Sequence, residues 1–414
     1  MKLFEPAHSC LMDILYKKVP FKLAIENICT KHTVFREDRK NLTNVIGCSL
    51  RHFYVFDNLI SQLEKDFNDA QKVALYLYLS NKLFVPVLPT ESVLEALTKF
   101  QIKETDLNKL DALTSDKTKL IPGEINNDSI EYLHYRFNIP TWVLKMWMKH
   151  YKGYTYKIVK SINKPANHYA IINKSSFDEE LSKYPELEKT PFEELYLYNG
   201  NVAPKRHSLF KDGKLVTISP AEFYLLRKLD LDVIRKIGFY SETFNELHLQ
   251  LMAMLSPNYH MDIIAGTAEA YYQTKKDIEK YKLNGINLYN TGHSSIITCM
   301  SDKVHNFFVC PKNTDFAEFR KSPDFFNRVD AGSLDSYIAN QKASLISASD
   351  FVEDGGNLIY LVSTMNKKET VQIVDDFLKE KKTFSLVEQK QFLPFDKYDS
   401  TLFIAILRKE GSDD

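Results

Sequence analysis

The sequence predicts a multidomain chain with an all-α domain at residues 1–125, a small α+β module at 126–235 and a doubly wound α/β domain at 236–414. Three observations predict it. Apolar residues recur at helical spacing from residue 7 to about 120, turn formers cluster at 121–128, and after about 236 short apolar runs alternate with helical stretches.

In the first domain, Leu42, Val45, Ile46, Ser49, Leu50 and Phe53 share one helical face, with no Gly-rich turns between β-type runs. Ile121-Pro122-Gly123-Glu124-Ile125-Asn126-Asn127-Asp128 then breaks the pattern. The second module reads as a helix from Pro140 to His150, β-type runs at Tyr154–Val159 and His168–Ile172, and a turn at Lys211-Asp212-Gly213 before a strand at Lys214–Ile218. In the third domain, strand-like runs at Met261–Ile264, Asn306–Val309, Leu358–Val362 and Leu402–Leu407 alternate with helical stretches at Ser336–Phe351 and Lys368–Lys381.

The chain of 414 residues balances Lys+Arg 54 against Asp+Glu 54 and is 44% hydrophobic, which excludes collagen-like, disordered and disulfide-scaffold classes. Its cysteines (Cys10, Cys29, Cys48, Cys299, Cys310) are odd in number and contain no C-x-x-C pair, so neither a disulfide framework nor a zinc ribbon is expected, and a reducing cytoplasm is. No signal-like start and no apolar run of membrane-spanning length occurs, so a membrane partner is not expected.

Neutral net charge hides one local excess. Residues 141–170 hold Lys145, Lys149, Lys152, Lys157, Lys160 and Lys164 with no acid, interleaved with Trp142, Trp147, Tyr151, Tyr154, Tyr156 and Tyr169. Cations among stacking surfaces suit single-stranded or looped RNA, and Trp147, Lys145, Lys149, Lys152, Tyr154, Lys157 and Lys160 are the candidate contacts. The plainer reading makes the apolar residues core and the lysines a solvated face.

Several stretches carry a resemblance. Glu37-Asp38-Arg39-Lys40 with Val45-Ile46-Gly47-Cys48-Ser49-Leu50-Arg51 resembles a "DRR…VYGVLR" segment, Tyr135 to Trp142 a "SHPEWL" helix, and Ile171-Ile172-Asn173 an "RVN" strand. Gly355-Gly356-Asn357-Leu358-Ile359-Tyr360 resembles "GGRLVYSTCS", Met365-Asn366-Lys367-Lys368-Glu369 the following "LxPEEN", and Asp399 to Lys409 a closing "DGFFxAxLxK". In these stretches the chain resembles the bacterial 16S rRNA cytosine-C5 methyltransferases with a NusB-like N-terminal domain.

The resemblance implies a NusB-like helical domain able to meet a protein partner, a small RNA-contacting subdomain, a Rossmann-like methyltransferase domain, S-adenosylmethionine as cofactor, and rRNA or its precursor as partner. It also implies two cysteines, one attacking C6 of cytosine and one assisting release. Here Ser363 stands at the nucleophile's position, and a hydroxyl has essentially no anion at neutral pH without a dedicated base. At "DAPCSG" the chain reads Val309-Cys310-Pro311-Lys312-Asn313-Thr314, so Lys312 replaces the second cysteine and Cys310 lies two places early. The glycine-rich cofactor loop maps to His260–Tyr271, where only Asp262 and Gly266 remain.

Asp262 to Val309 spans 47 positions against roughly 60 residues for two βα units, which suggests a trimmed sheet. The expectation is an RNA-binding, methyltransferase-like protein without cofactor or catalysis. An active enzyme using Cys310 or Cys299 with S-adenosylmethionine, and a protein-interaction scaffold, are the alternatives.

Overall fold

In the computed structural model, the described residues are 3–122, 126, 128–177, 180–229, 236–255, 259–291, 299–300, 302–329 and 332–411, apart from the side chain of residue 36. The boundaries expected at 125/126 and 235/236 abut segments outside these residues. The chain divides into two compact units, 1–164 with 318–331, and 165–317 with 332–414.

The first unit is helical, with α1 (Phe4–Lys17), α2 (Phe21–Lys31), α3 (Arg36–Arg51), α4 (Phe53–Ser61), α5 (Asp69–Leu83), α6 (Thr90–Lys99), α7 (Glu104–Leu113), α8 (Ile130–Phe137), α9 (Thr141–Tyr151) and α10 (Thr155–Ile162). Helix α5 is buried almost continuously from Val73 to Leu83, as a helix apolar on every side must be, and the reciprocal Asn68–Gln71 capping box fixes its start. Leu42, Val45, Ile46, Ser49 and Leu50 are all buried, as their spacing requires.

Between α3 and α4 the helical ladder breaks. Asn138, left-handed at φ 54° where α8 ends, donates to the Leu50 carbonyl (2.8 Å) and accepts from the Tyr54 N–H (3.1 Å), satisfying two backbone groups that the break frees. Residues 318–331, including the short helix α15 (Phe325–Arg328), also belong to this unit. There the buried Asp324 accepts from the Phe21 N–H (3.0 Å) and from Arg328 (2.7 Å).

One sequence expectation fails here. Tyr154–Val159, read as a strand from its aromatic and β-branched residues, ends in helix α10, because Thr155, Ile158, Val159 and Ile162 follow helical spacing and all four are buried.

The second unit opens with an antiparallel sheet of β1 (His168–Ile172), β2 (Leu187–Lys189), β3 (Leu195–Tyr198) and β4 (Leu215–Thr217), in the order β2-β3-β1-β4. Helix α11 (Ser208–Lys211) precedes β4 and α12 (Pro220–Lys228) follows it, started by a Ser219–Glu222 capping box with proline at its first position.

A larger sheet then forms from β5 (Lys236–Ser241), β6 (His260–Ala265), β7 (Ile286–Asn290), β8 (Val304–Cys310), β9 (Val352–Val362), β10 (Phe384–Gln391) and β11 (Phe403–Lys409). Helices α13 (Leu247–Met254), α14 (Ala268–Tyr281), α16 (Ser333–Ser349) and α17 (Val371–Glu380) connect them. The order is β10-β11-β9-β8-β5-β6-β7, with only β11 antiparallel to its neighbours.

Strand residues alternate between two cores, Phe239, Ile263 and Phe308 on one face, and Tyr240, Ile264 and Val309 on the other. The sheet has seven strands, so the expected trimming is corrected. The first strand is β5, and its Gly238 pairs with Phe307 of β8 at a separation of 69 positions, room for two full βα units.

Candidate functional site

The chain's path across the large sheet reverses at β5, because β6 and β7 extend from one side of it and β8 and β9 from the other. Open α/β sheets bind ligands at the carboxyl ends of the strands flanking such a reversal. Here that crevice is built from Glu242 after β5, Gly266 and Thr267 after β6, residues 311–314 after β8, and Ser363 and Thr364 after β9.

Glu242 is 5% exposed, and it is fastened on three sides. Its N–H donates to the Cys310 carbonyl (3.2 Å) and its own carbonyl accepts from the Thr267 hydroxyl (3.0 Å). Its carboxylate accepts from the Lys312 N–H (2.9 Å) and from the Asn340 side-chain amide. A Cβ added at Gly266 would lie 2.9 Å from the Glu242 Cα and 2.9 Å from the Tyr240 hydroxyl, so only glycine lets the two loops approach this closely.

A second buried carboxylate, Glu369, lies beside the ends of β8 and β9. It accepts from the Thr314 N–H (2.9 Å) and hydroxyl (2.7 Å), the Thr364 hydroxyl (3.2 Å), Asn366 (3.2 Å) and Gln341 (3.1 Å). Gln341 also donates to the Lys312 carbonyl (2.9 Å), linking the two carboxylates into one hydrogen-bonded system. Such a network holds its members in one arrangement.

Of the residues expected here, Lys312 and Ser363 do come to the ends of the neighbouring strands β8 and β9. The Lys312 side chain is exposed and its ammonium stands 5.3 Å from the Tyr337 ring centre, while Ser363 is half-buried. Cys310, the alternative thiol, lies away from solvent. It is 5% exposed in the core on one face of the sheet, and burial, with the Glu222 carboxylate adding to it, pushes its thiol up.

The stretch matched to the family's glycine-rich loop is also displaced. Asp262 and Gly266 lie on and after β6, the second strand, and Asp262 is in its interior, paired with Gly238 and Asn287, where its carboxylate accepts from the Asn287 side chain (2.9 Å). The loop after the first strand is Glu242-Thr243-Phe244-Asn245-Glu246, without glycine. A cavity of about 550 Å3 in this unit runs along α13, α14 and β4, and neither Glu242, Gly266, Lys312 nor Ser363 lines it.

The cysteines permit a direct check. Cys10, Cys29, Cys48 and Cys310 are buried and none of the five is in a disulfide; burial lifts the Cys10 thiol to about 12 and the Cys48 thiol to about 11. Ellman's reagent at pH 8 is expected to label roughly one thiol, the half-buried Cys299, in the folded protein, and all five after unfolding. Fast labelling of Cys310 in the native state would contradict its placement.

On the first unit, Lys145 and Lys149 stand one turn apart on α9, Lys152 follows it, and Lys157 and Lys160 lie on α10 with Lys164 beyond. All six are exposed, as is Tyr154 at 55%, whose ring centre lies 5.6 Å from the Lys157 ammonium. No carboxylate pairs with Lys145, Lys149, Lys152, Lys160 or Lys164 among the described residues. Trp147 is the correction in this group: it is fully buried and offers no stacking surface, because it shares the inward face of α9 with Val143 and Leu144.

Glu242, Asn340 and Gln341 were not among the sequence candidates, and Thr314 and Glu369 entered only as parts of motifs. The available signal was the short run Lys236–Ser241 followed by an acid, which marks the first strand and its loop.

No protein-family model and no curated protein matches this chain in sequence. Among solved structures, PH0851 matches at TM-score 0.74 and 15% identity over 98% of this chain and 99% of that one. A methyltransferase homolog protein from Pyrococcus horikoshii matches at 0.56 and 12% identity, over 67% of this chain and 97% of its own. NSun6 from Pyrococcus horikoshii, crystallised with SFG, matches at 0.55 and 12%, over 65% and 98%. These likenesses show the fold, which is multidomain with a helical region and a Rossmann-like domain of methyltransferase type. No helix among the described residues is long and apolar enough to cross a membrane.

Proposed function

We propose that this chain is an rRNA-directed RNA-binding protein of the cytosine-C5 methyltransferase kind that transfers no methyl group. The observation that carries the RNA reading is the acid-free segment 141–170 on and around α9 and α10, where six lysines and Tyr154 are exposed. Phosphate contacts supply affinity and an aromatic ring supplies a stacking platform. Solved neighbours described as a methyltransferase homolog and as NSun6 share this fold, and the resemblance to rRNA methyltransferases in the sequence points the surface toward RNA.

The chemistry of methyl transfer lacks its parts. The two positions that resemble the family's cysteines carry Lys312 and Ser363, and Cys310 is held as a buried thiol. The crevice does not fit S-adenosylmethionine either: the loop after β5 has no glycine to let the backbone approach a cofactor closely, and a buried carboxylate, Glu242, stands at that strand end. The domain then serves as a scaffold for the RNA-binding surface.

Fluorescence anisotropy with a single-stranded rRNA fragment at low salt tests this reading. The triple variant Lys149→Ala, Lys152→Ala, Lys157→Ala is expected to bind roughly 10-fold or more weakly. Transfer of labelled methyl groups from S-adenosylmethionine to the same RNA is expected to stay at the blank. Unchanged affinity in the triple variant removes the RNA surface, and methyl incorporation removes the non-catalytic half.

A further inference from the structure

We infer that the Glu242 carboxylate is a built-in anionic ligand, filling the crevice where the chain reverses across the sheet in place of any bound molecule. This goes beyond the RNA reading and does not depend on it.

Glu242 is the first residue after β5, so it stands at the strand end where an open α/β sheet ordinarily receives a ligand. A residue there normally faces solvent or ligand, yet Glu242 is 5% exposed. A carboxylate removed from water must recover its lost hydration from donors. Two converge on it, the Lys312 N–H at the end of β8 and the Asn340 amide on α16, elements 70 and 98 positions away in sequence.

These donors would otherwise serve an incoming anion. A backbone N–H just beyond a strand end and a carboxamide aimed at the same point form a small polar socket, and here the chain's own carboxylate occupies it. Further bonds hold it in place: the Glu242 N–H is tied to the Cys310 carbonyl, the Thr267 hydroxyl is tied to the Glu242 carbonyl, and Gly266 permits the close approach of the β6 loop. Swinging the carboxylate out would strand both donors.

The test uses the full chain, formate and acetate as small carboxylate probes, and S-adenosylhomocysteine as the cofactor-shaped probe. Glu242→Ala empties the socket while keeping its two donors. Its melting temperature is expected to fall by about 5 °C, and formate or acetate, unlike chloride at equal ionic strength, is expected to restore a saturable part of that loss without raising the wild type.

Wild-type protein needs no substitution to be informative: its melting temperature is expected to stay unchanged up to 1 mM S-adenosylhomocysteine, about the ceiling at which weak binding registers. A saturable rise in the wild type overturns the inference by showing an open crevice. So does a folded Glu242→Ala protein with no carboxylate-specific recovery. Either result leaves the lysine-dependent RNA binding untouched; a saturable rise in the wild type also withdraws the misfit to S-adenosylmethionine, whereas missing carboxylate recovery in Glu242→Ala bears on this inference alone.

Discussion

Glu369→Ala is expected to destabilise the second unit by about 4 kcal/mol, one of the largest effects of any single substitution in this chain. The carboxylate is fully buried and collects donors from three separate stretches, Thr314 after β8, Gln341 on α16, and Thr364 with Asn366 after β9. Removing it strands buried N–H and O–H groups that each cost roughly 1–3 kcal/mol when left unsatisfied, partly offset by water entering the space. At about 2–4 °C per kcal/mol, the second unit's calorimetric transition should fall by roughly 8–16 °C.

Glu369→Gln gives a sharper comparison. It keeps the volume but turns one acceptor into a donor facing other donors, so it should recover less than half of the loss. A melting temperature for Glu369→Ala within 1 °C of wild type would contradict the network.

The second large effect is Trp147→Ala, expected to cost about 3–5 kcal/mol in the first unit. The side chain is fully buried beside Val143 and Leu144 on α9, so truncation leaves a cavity and loses many close contacts. Lys149→Ala, two residues along the same helix but exposed, is expected to change stability by no more than about 0.5 kcal/mol.

This pair separates the two roles assigned to α9, one face holding the core and the other meeting RNA. Chemical denaturation should therefore find Trp147→Ala destabilised and Lys149→Ala unchanged, and RNA titration of the folded proteins should find the affinity loss in Lys149→Ala. A stable Trp147→Ala protein with specifically weakened RNA binding would reverse the assignment and restore the indole as a stacking surface.

These residues also mark where the sequence was legible. The helices of the first unit followed from the period of Leu42, Val45, Ile46 and Leu50, and the strands β6, β8, β9 and β11 from continuous apolar runs, since both patterns are dictated by which side chains must leave water. Strand β5 was harder to see. Its sequence Lys-Ile-Gly-Phe-Tyr-Ser is short and mixed in polarity, and its buried glycine and serine reflect close packing between neighbouring strands rather than a hydrophobic run.

Without β5 the strand register shifts by one, which puts Asp262 in the place of the first strand's acid and shortens the expected sheet. On α10, strand-type residues concealed a helix because tertiary burial of Ile158, Val159 and Ile162 outweighs local preference. Glu242 and Glu369 were illegible as site residues because their meaning lies in partners chosen by the fold. An acid in a loop reads as solvated until a backbone N–H from a distant strand is placed against it.

The lysines were legible as a patch and Tyr154 as its exposed ring, but composition alone could not assign Trp147 to the inside of the helix. Burial follows the phase of α9, in which Trp147 is in register with Val143 and Leu144 while Lys145 and Lys149 face outward.

The most direct test of an RNA-binding, methyltransferase-like protein is the salt dependence of its affinity for single-stranded rRNA. If the six lysines of residues 141–170 each displace a condensed counterion, the plot of log affinity against log salt should have a slope of about −4, and removing Lys149, Lys152 and Lys157 should bring it to about −2. A wild-type slope near zero, or the same slope in wild type and triple variant, would contradict the account.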